Sequence, residues 1–358
     1  MYRYDSGRSG FAPDRGPTHG HDLRWFLPLG GGVTTTPAYW DGMLFVGTGG
    51  GQLLCAAASD GEEFWSTGLG GELRSTPAVA DDVLVVGVHD GALSAGRGFL
   101  AGLNVWSGEE LWGVHDHGVT MSPLIVDGVA YVGSSEGAFF GVEVSSGTQR
   151  WAAQAGASNG TPSLATADGV MVVVTSSGLV HGFSLSSGDQ LWAFHSEFKN
   201  ETTPAISAGR VVFTTFLGQL ICLDLQSGRT LWSTPTNTNA TSPAVHGGRV
   251  IVNRGPKGHV AAYSLVTGQL LWDSAVEGDP FSSPTVTRDH VYTKGNNVLV
   301  ALHVDTGETA WSQPFTELLA TSLTIAGDDL YIGSHWHSGG GLHAFGPPSS
   351  FDFDDVPF

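Results

Sequence analysis

Lysine is almost missing from this 358-residue chain: Lys199, Lys257 and Lys294 are all there is, and 15 Lys and Arg face 34 Asp and Glu for a formal net charge of −19. No basic cluster runs along the sequence, so it lacks the electrostatic footprint needed to track a phosphate backbone; neither nucleic acid nor an anionic membrane is expected as a partner. Charged residues of both signs make up only 14% while hydrophobic ones reach 41%, which excludes a disordered polyelectrolyte and supports a sizeable core. No stretch of about 18 apolar residues could span a bilayer. The opening "MYRYDSGRSGFAPDRGPTHGHD" has no basic segment followed by an apolar one, as a secretory leader would, so the expected location is cytoplasmic, and the lysine scarcity fits a GC-rich bacterium. Cysteine is nearly absent too. Cys55 and Cys222 lie far apart in the apolar runs "QLLCAA" and "LICLDL", so buried free thiols are expected rather than a disulfide or a metal pair.

An eightfold internal repeat is present. Segments of the type "TTTPAY", "RSTPAV" and "TMSPLI" recur with an anchor at Pro37, Pro77, Pro123, Pro162, Pro204, Pro243, Pro284 and Leu323, 39 to 46 residues apart. A tryptophan stands 11 or 12 positions before each anchor: Trp25, Trp65, Trp112, Trp151, Trp192, Trp232, Trp272 and Trp311. Between them, short β-rich runs are cut by "DG" and "SG" turns, as hairpin-connected strands require. Four strands per unit, A to D, near 40 residues each, predict an all-β chain folded as an eight-bladed β-propeller of antiparallel blades. Trp25 sits in a strand D with no A, B or C before it, and the last repeat has A, B and C with no D after it. The amino-terminal strand is therefore expected to complete the last blade and remove the open sheet edges. The division expected is an arm over 1–22, a single propeller over 23–346 and an acidic, aromatic tail over 347–358.

The pattern in "SPLIVDGVAYVGSSEGAFFGVEVSSGTQRW" and "SPTVTRDHVYTKGNNVLVALHVDTGETAW" resembles the pyrroloquinoline-quinone-type (PQQ-like) propeller repeat family. That family combines a Ser/Thr-Pro inner strand, an apolar strand ending in Gly, a strand like "LxALD", a Ser/Thr-Gly turn and a Trp. The lead-in "RYDSGRSG", Arg3 to Gly10, is similar to an Arg-x-Asp segment that precedes the first blade in such proteins. The resemblance covers residues 3 to 346, with departures at Leu323, which replaces Pro, and at Gly160, which replaces Ser or Thr. It implies the fold; for function it spans redox enzymes, assembly scaffolds and sensor domains.

In such a ring the D-to-A and B-to-C loops share one face around the channel mouth, where a ligand site is expected. Two B-to-C loops are long: "VHDGALSAGRGF" in the second blade and "SHWHSGGG" in the eighth. His335 and His337, two apart, could supply two ligands to one metal ion. With His115 and His117 of "HDHG" they are also the candidate acid/base residues, because imidazole titrates near neutrality. Trp336 offers a broad apolar face to a planar ligand, His89 in the long second-blade loop is a further ligand-binding candidate on the same face, and Arg97, Arg254 and Lys257 could hold an anionic group. His181 and His343 take matching strand positions and read as packing residues; Trp40 and Trp106 fall in turns of the opposite face. "GTGGGQ" opens no helix and is not a phosphate loop.

These readings lead to a small-molecule-binding cytoplasmic propeller carrying out non-redox acid/base chemistry of the isomerase, lyase or cyclase type in its funnel. The alternative is a non-catalytic scaffold or sensor propeller that binds a protein partner; the tail is expected to be disordered, with docking onto a partner or a neighbouring subunit as its second reading. A PQQ-dependent or metal-dependent oxidoreductase is the third reading. The chain lacks the adjacent cysteine pair, the long inter-blade insertions and the Glu/Asn/Asp calcium set that the resemblance would require of a quinoprotein, so bound PQQ is not expected, whereas a metal ion is compatible with the histidines.

Overall fold

The computed structural model describes residues 3–19, 22–89, 98–115, 119, 121–134, 137–155, 163–200, 202–237, 241–255, 258–277, 282–295, 298–315, 321–334 and 340–347. Among them there is no helix. Eight antiparallel sheets form the ring; six have four strands in sequence order, blade 8 takes its fourth strand from the amino terminus, and blade 2 has five strands. Blade 5 shows the common pattern: Ala205–Ser207, Arg210–Thr214, Gln219–Asp224 and Thr230–Pro235 serve as A, B, C and D. Strands B and C are apolar on both faces because each is sandwiched between neighbouring blades; strand D alternates, as an outer strand with one solvated face must.

The ring closes as expected. Asp22–Leu29 pairs antiparallel with Gly340–Gly346, from Asp22 opposite Gly346 to Leu29 opposite Gly340, giving blade 8 an amino-terminal strand D. Arg24 secures this clasp through both oxygens of the Asp329 carboxylate, at 2.7 and 2.6 Å.

The periodic tryptophans lock each blade to the next. In blade 4, Trp192 donates its indole N–H to the Leu225 carbonyl of blade 5 at 2.9 Å, and Trp232 repeats the bond to Leu265 of blade 6 at 3.0 Å. Seven of the eight end this way on the C-to-D turn of the following blade. The eighth, Trp311, finds Pro17 of the arm instead, at 3.2 Å, since blade 8 has no such turn of its own. The Ser/Thr-Gly half of the signature belongs to the same lock. Gly228 has φ +66°, and a Cβ there would lie 2.5 Å from Cε3 of Trp192, so only glycine fits beneath the ring.

The Ser/Thr-Pro anchors stitch the inner rim. The Thr203 amide donates to the Ser242 hydroxyl of the next blade at 2.9 Å, and the Ser242 amide to that of Ser283 at 3.1 Å.

The insertion in blade 2, expected as a loop, begins as sheet. Strands B and C lengthen to Val83–His89 and Gly98–Asn104, and the short strand Glu72–Leu73 pairs with the added end of B.

Candidate functional site

Of the residues expected at the mouth, His335, Trp336, His337, His117, Arg97 and Lys257 lie outside the described residues, as does the tail from 348 onward. His89, His115 and Arg254 are described. His89 is the last residue of strand B in blade 2, opposite Gly98 and Glu72, and is fully buried. His115 ends strand D of the same blade, exposed, with its ring 5.1 Å from that of Phe99. Arg254 ends strand B of blade 6, half a turn around the ring. Its guanidinium donates to the Thr236 carbonyl at 2.7 Å and pairs with Asp273, whose other oxygen contacts His259 Nδ1 at 2.9 Å. The Arg254 charge is thus shared with a carboxylate of its own blade. The structure brings His89 and His115 into one blade and does not bring Arg254 to them.

The eighth-blade loop is closed at its base. The Ser334 amide donates to the Gly341 carbonyl at 2.8 Å, and the Ser334 hydroxyl lies 2.8 Å from His343 Nε2. His343 is buried against Phe26, and His181 is buried with Nδ1 3.1 Å from Gln190. Both hold strand-packing positions. Burial lowers the pKa of His181 below its ordinary value because the cation would lose its hydration.

Among the described residues no group of three or more His, Cys, Asp or Glu is placed to hold a metal ion. The two buried guanidiniums of the arm, of Arg3 and Arg8, bind main-chain carbonyls, and the two thiols, buried and free, stand in different blades with pKa values pushed up to about 12 by desolvation.

A surface feature of the same face escaped the sequence reading. The B-to-C turn of blade 5 carries Phe216 and Leu217, exposed by 57% and 64%. Blade 4 builds the same turn from Ser176 and Ser177: the closing bond runs from Gly178 to Thr175 at 3.1 Å there and from Gly218 to Thr215 at 3.0 Å here. The turn therefore does not need its apolar pair. The Phe216 amide also donates to the Lys199 carbonyl of the adjoining D-to-A connection at 2.8 Å, which fixes the turn against its neighbour. Setting "TTFLGQ" beside "VTSSGL" would have revealed it.

The family profile described as outer membrane protein assembly factor BamB matches residues 8–165, 96–240 and 155–349, nearly the whole chain. The chain belongs to this PQQ-like repeat family. Among curated relatives, the outer membrane protein assembly factor BamB of Legionella pneumophila (strain Paris) is 29% identical over 150 residues, 38% of this chain and 38% of the relative. The dehydrogenase subunit of a quinone alcohol dehydrogenase from Gluconacetobacter polyoxogenes is 31% identical over 100 residues, 23% of this chain and 14% of the relative. The matches thus span well under two thirds of either relative. Among solved structures, BamB from Moraxella catarrhalis superposes with a TM-score of 0.74 at 18% identity, covering 91% of this chain and all of that one, a likeness of fold.

These findings correct two expectations. Neither relative is an isomerase, lyase or cyclase, and the histidines that motivated such chemistry include one buried in a sheet and one packed on Phe99. The cytoplasmic location is overturned as well, because the family description and the BamB relative name an outer membrane assembly factor. That expectation rested on the first 22 residues, and the described part of them, 3–19, packs onto the ring.

Proposed function

We propose that this propeller is a non-catalytic docking platform of the cell envelope that binds a protein partner through the face carrying the B-to-C turns, and that the arm, ring and tail divide at residues 22 and 346. The observation that carries the reading is the Phe216–Leu217 pair. Two large apolar side chains stand in solvent on a turn that blade 4 builds from two serines, and a feature the fold does not need is explained by a partner that covers it. The relatives support the same direction, since one of them is named for protein assembly.

The double variant Phe216→Asp/Leu217→Asp tests the proposal. In the native host it should lose the partner retained by the wild-type protein at equal expression, while the isolated variant keeps its stability within about 0.5 kcal/mol, as exposed positions do. Undiminished partner retention by this variant would remove the assignment. Turnover of an alcohol with dye reduction after loading with quinone and calcium would revive the redox reading.

A further inference from the structure

Closure of the ring uses Asp22–Leu29. The residues upstream of it run instead around the inner rim on the opposite face, where the A-to-B turns lie. Strand A is an open sheet edge, and two residues before the A-to-B turn its amide is available to another chain. In five successive blades the arm meets that amide. Thr166 donates to the carbonyl of Ser6, Ile206 to that of Gly7 and Val245 to that of Ser9, each at 2.7 Å; Val286 donates to that of Gly10 at 2.8 Å. Ile325 donates to the Tyr4 hydroxyl at 2.8 Å, and Ala12 donates back to the Val286 carbonyl at 2.7 Å.

Two guanidiniums then reach the far ends of inner strands. Arg8 Nη2 donates to the Ser122 carbonyl in blade 3 at 2.6 Å. Arg3 Nη2 donates to the Pro243 carbonyl in blade 6, and its Nε donates to the Arg8 carbonyl at 3.2 Å. Asp5 folds the segment between them, accepting the Ser9 amide at 2.8 Å and the Ser9 hydroxyl. Both arginines are buried, Arg8 to 2% exposure.

We propose that this rim is a peptide-binding site, that its ligand is a segment of the form Arg-x-Asp with a second arginine five residues after the first, and that residues 3–12 are its resident, exchangeable ligand. The rim bonds are amide to carbonyl or hydroxyl, of the kind by which a separate strand augments a sheet edge, and they do not depend on covalent continuity. Selectivity comes from the two guanidiniums. The segment's shape is imposed by its seat: Arg3, Tyr4 and Arg8 hold φ of 60°, 74° and 49°, which L residues rarely adopt unless their surroundings dictate it. The seat is also wider than its occupant. A cavity of about 180 Å³ is lined jointly by the arm and by blades 7, 8 and 1, with Arg3, Tyr4, Asp14 and Tyr39 in its wall. This inference concerns the face opposite Phe216 and stands or falls independently of the docking reading.

The full chain carrying a protease site between residues 19 and 22 tests it, cut after folding. The cut arm should co-elute with the ring and be displaced by a fluorescent synthetic peptide of residues 1–19. The same peptide with Arg3→Ala and Arg8→Ala should bind about a hundredfold more weakly, the loss of two hydrogen bonds from charged donors. Uncut protein should not take up the peptide. A fragment that never exchanges, a cut chain that unfolds with or without peptide, or a doubly substituted peptide that binds as well as the native one would each overturn the proposal.

Discussion

Gly228→Ala and Gly209→Ala form a pair that isolates the tryptophan lock. Both glycines have positive φ, +66° and +69°, so an alanine at either incurs the left-handed penalty of about 1–2 kcal/mol. They differ in what the new methyl meets. At Gly209 nothing lies within 4 Å, whereas at Gly228 the Cβ would fall 2.5 and 2.6 Å from Cε3 and Cδ2 of Trp192. The indole cannot retreat freely, because it is buried and its N–H is bonded to the Leu225 carbonyl at 2.9 Å. Overpacking of that kind adds about 1–3 kcal/mol. Gly228→Ala should therefore be less stable than Gly209→Ala by about 1–3 kcal/mol. Urea titration followed by tryptophan fluorescence gives the comparison as a shift of midpoint at a common slope. Variants equal within about 0.5 kcal/mol would refute the claim that turn glycine and tryptophan form one unit.

Gly341→Val should open the clasp, because its Cβ would lie 2.3 Å from Phe26 Cε2 and 2.4 Å from the Leu27 carbonyl; hydrogen exchange should show lost protection across Asp22–Leu29 while blades 3 to 5 keep theirs. Trp311→Phe removes the indole bond to Pro17 and should cost about 1 kcal/mol, with faster proteolysis of residues 3–19 as the readout. Burial, the leading cause in each case, lowers the pKa values of His181, His246 and His290. The unfolded chain then binds protons that the folded one resists, so stability should hold above the ordinary histidine pKa of about 6.5 and fall as pH drops below it. His290→Gln should flatten that fall, measured as urea midpoints between about pH 7 and 5; an unchanged slope would clear His290 of the effect.

The ring was legible because its determinants repeat. Seven of the eight tryptophans meet the C-to-D turn of the next blade, as Trp192 does over Gly228, so a period in sequence becomes a period in space, and the unpaired Trp25 strand announced the closure. What is not periodic was harder to read. The extra strand of blade 2 lay hidden because "VLVVGVH" and "GFLAGLN" simply extend their apolar runs past the usual strand end. Asp273, 19 residues from Arg254, neutralises it through a register that only the folded blade defines. The arm is polar and glycine-rich, without hydrophobic periodicity, and its bonds run from main chain to sheet edge, which side-chain patterns do not encode. Phe216 and Leu217 were passed over because histidines carried the weight of the search, although a comparison of blades at equivalent turns separates surplus residues from required ones.

Site-specific photocrosslinking in the native host tests the docking account most directly. A photoreactive residue in place of Leu217 should give one discrete adduct with a protein partner, whereas the same residue in place of Trp106, exposed by 56% on the opposite face, should not give that adduct. The same adduct from both faces, or none from Leu217, would contradict the account.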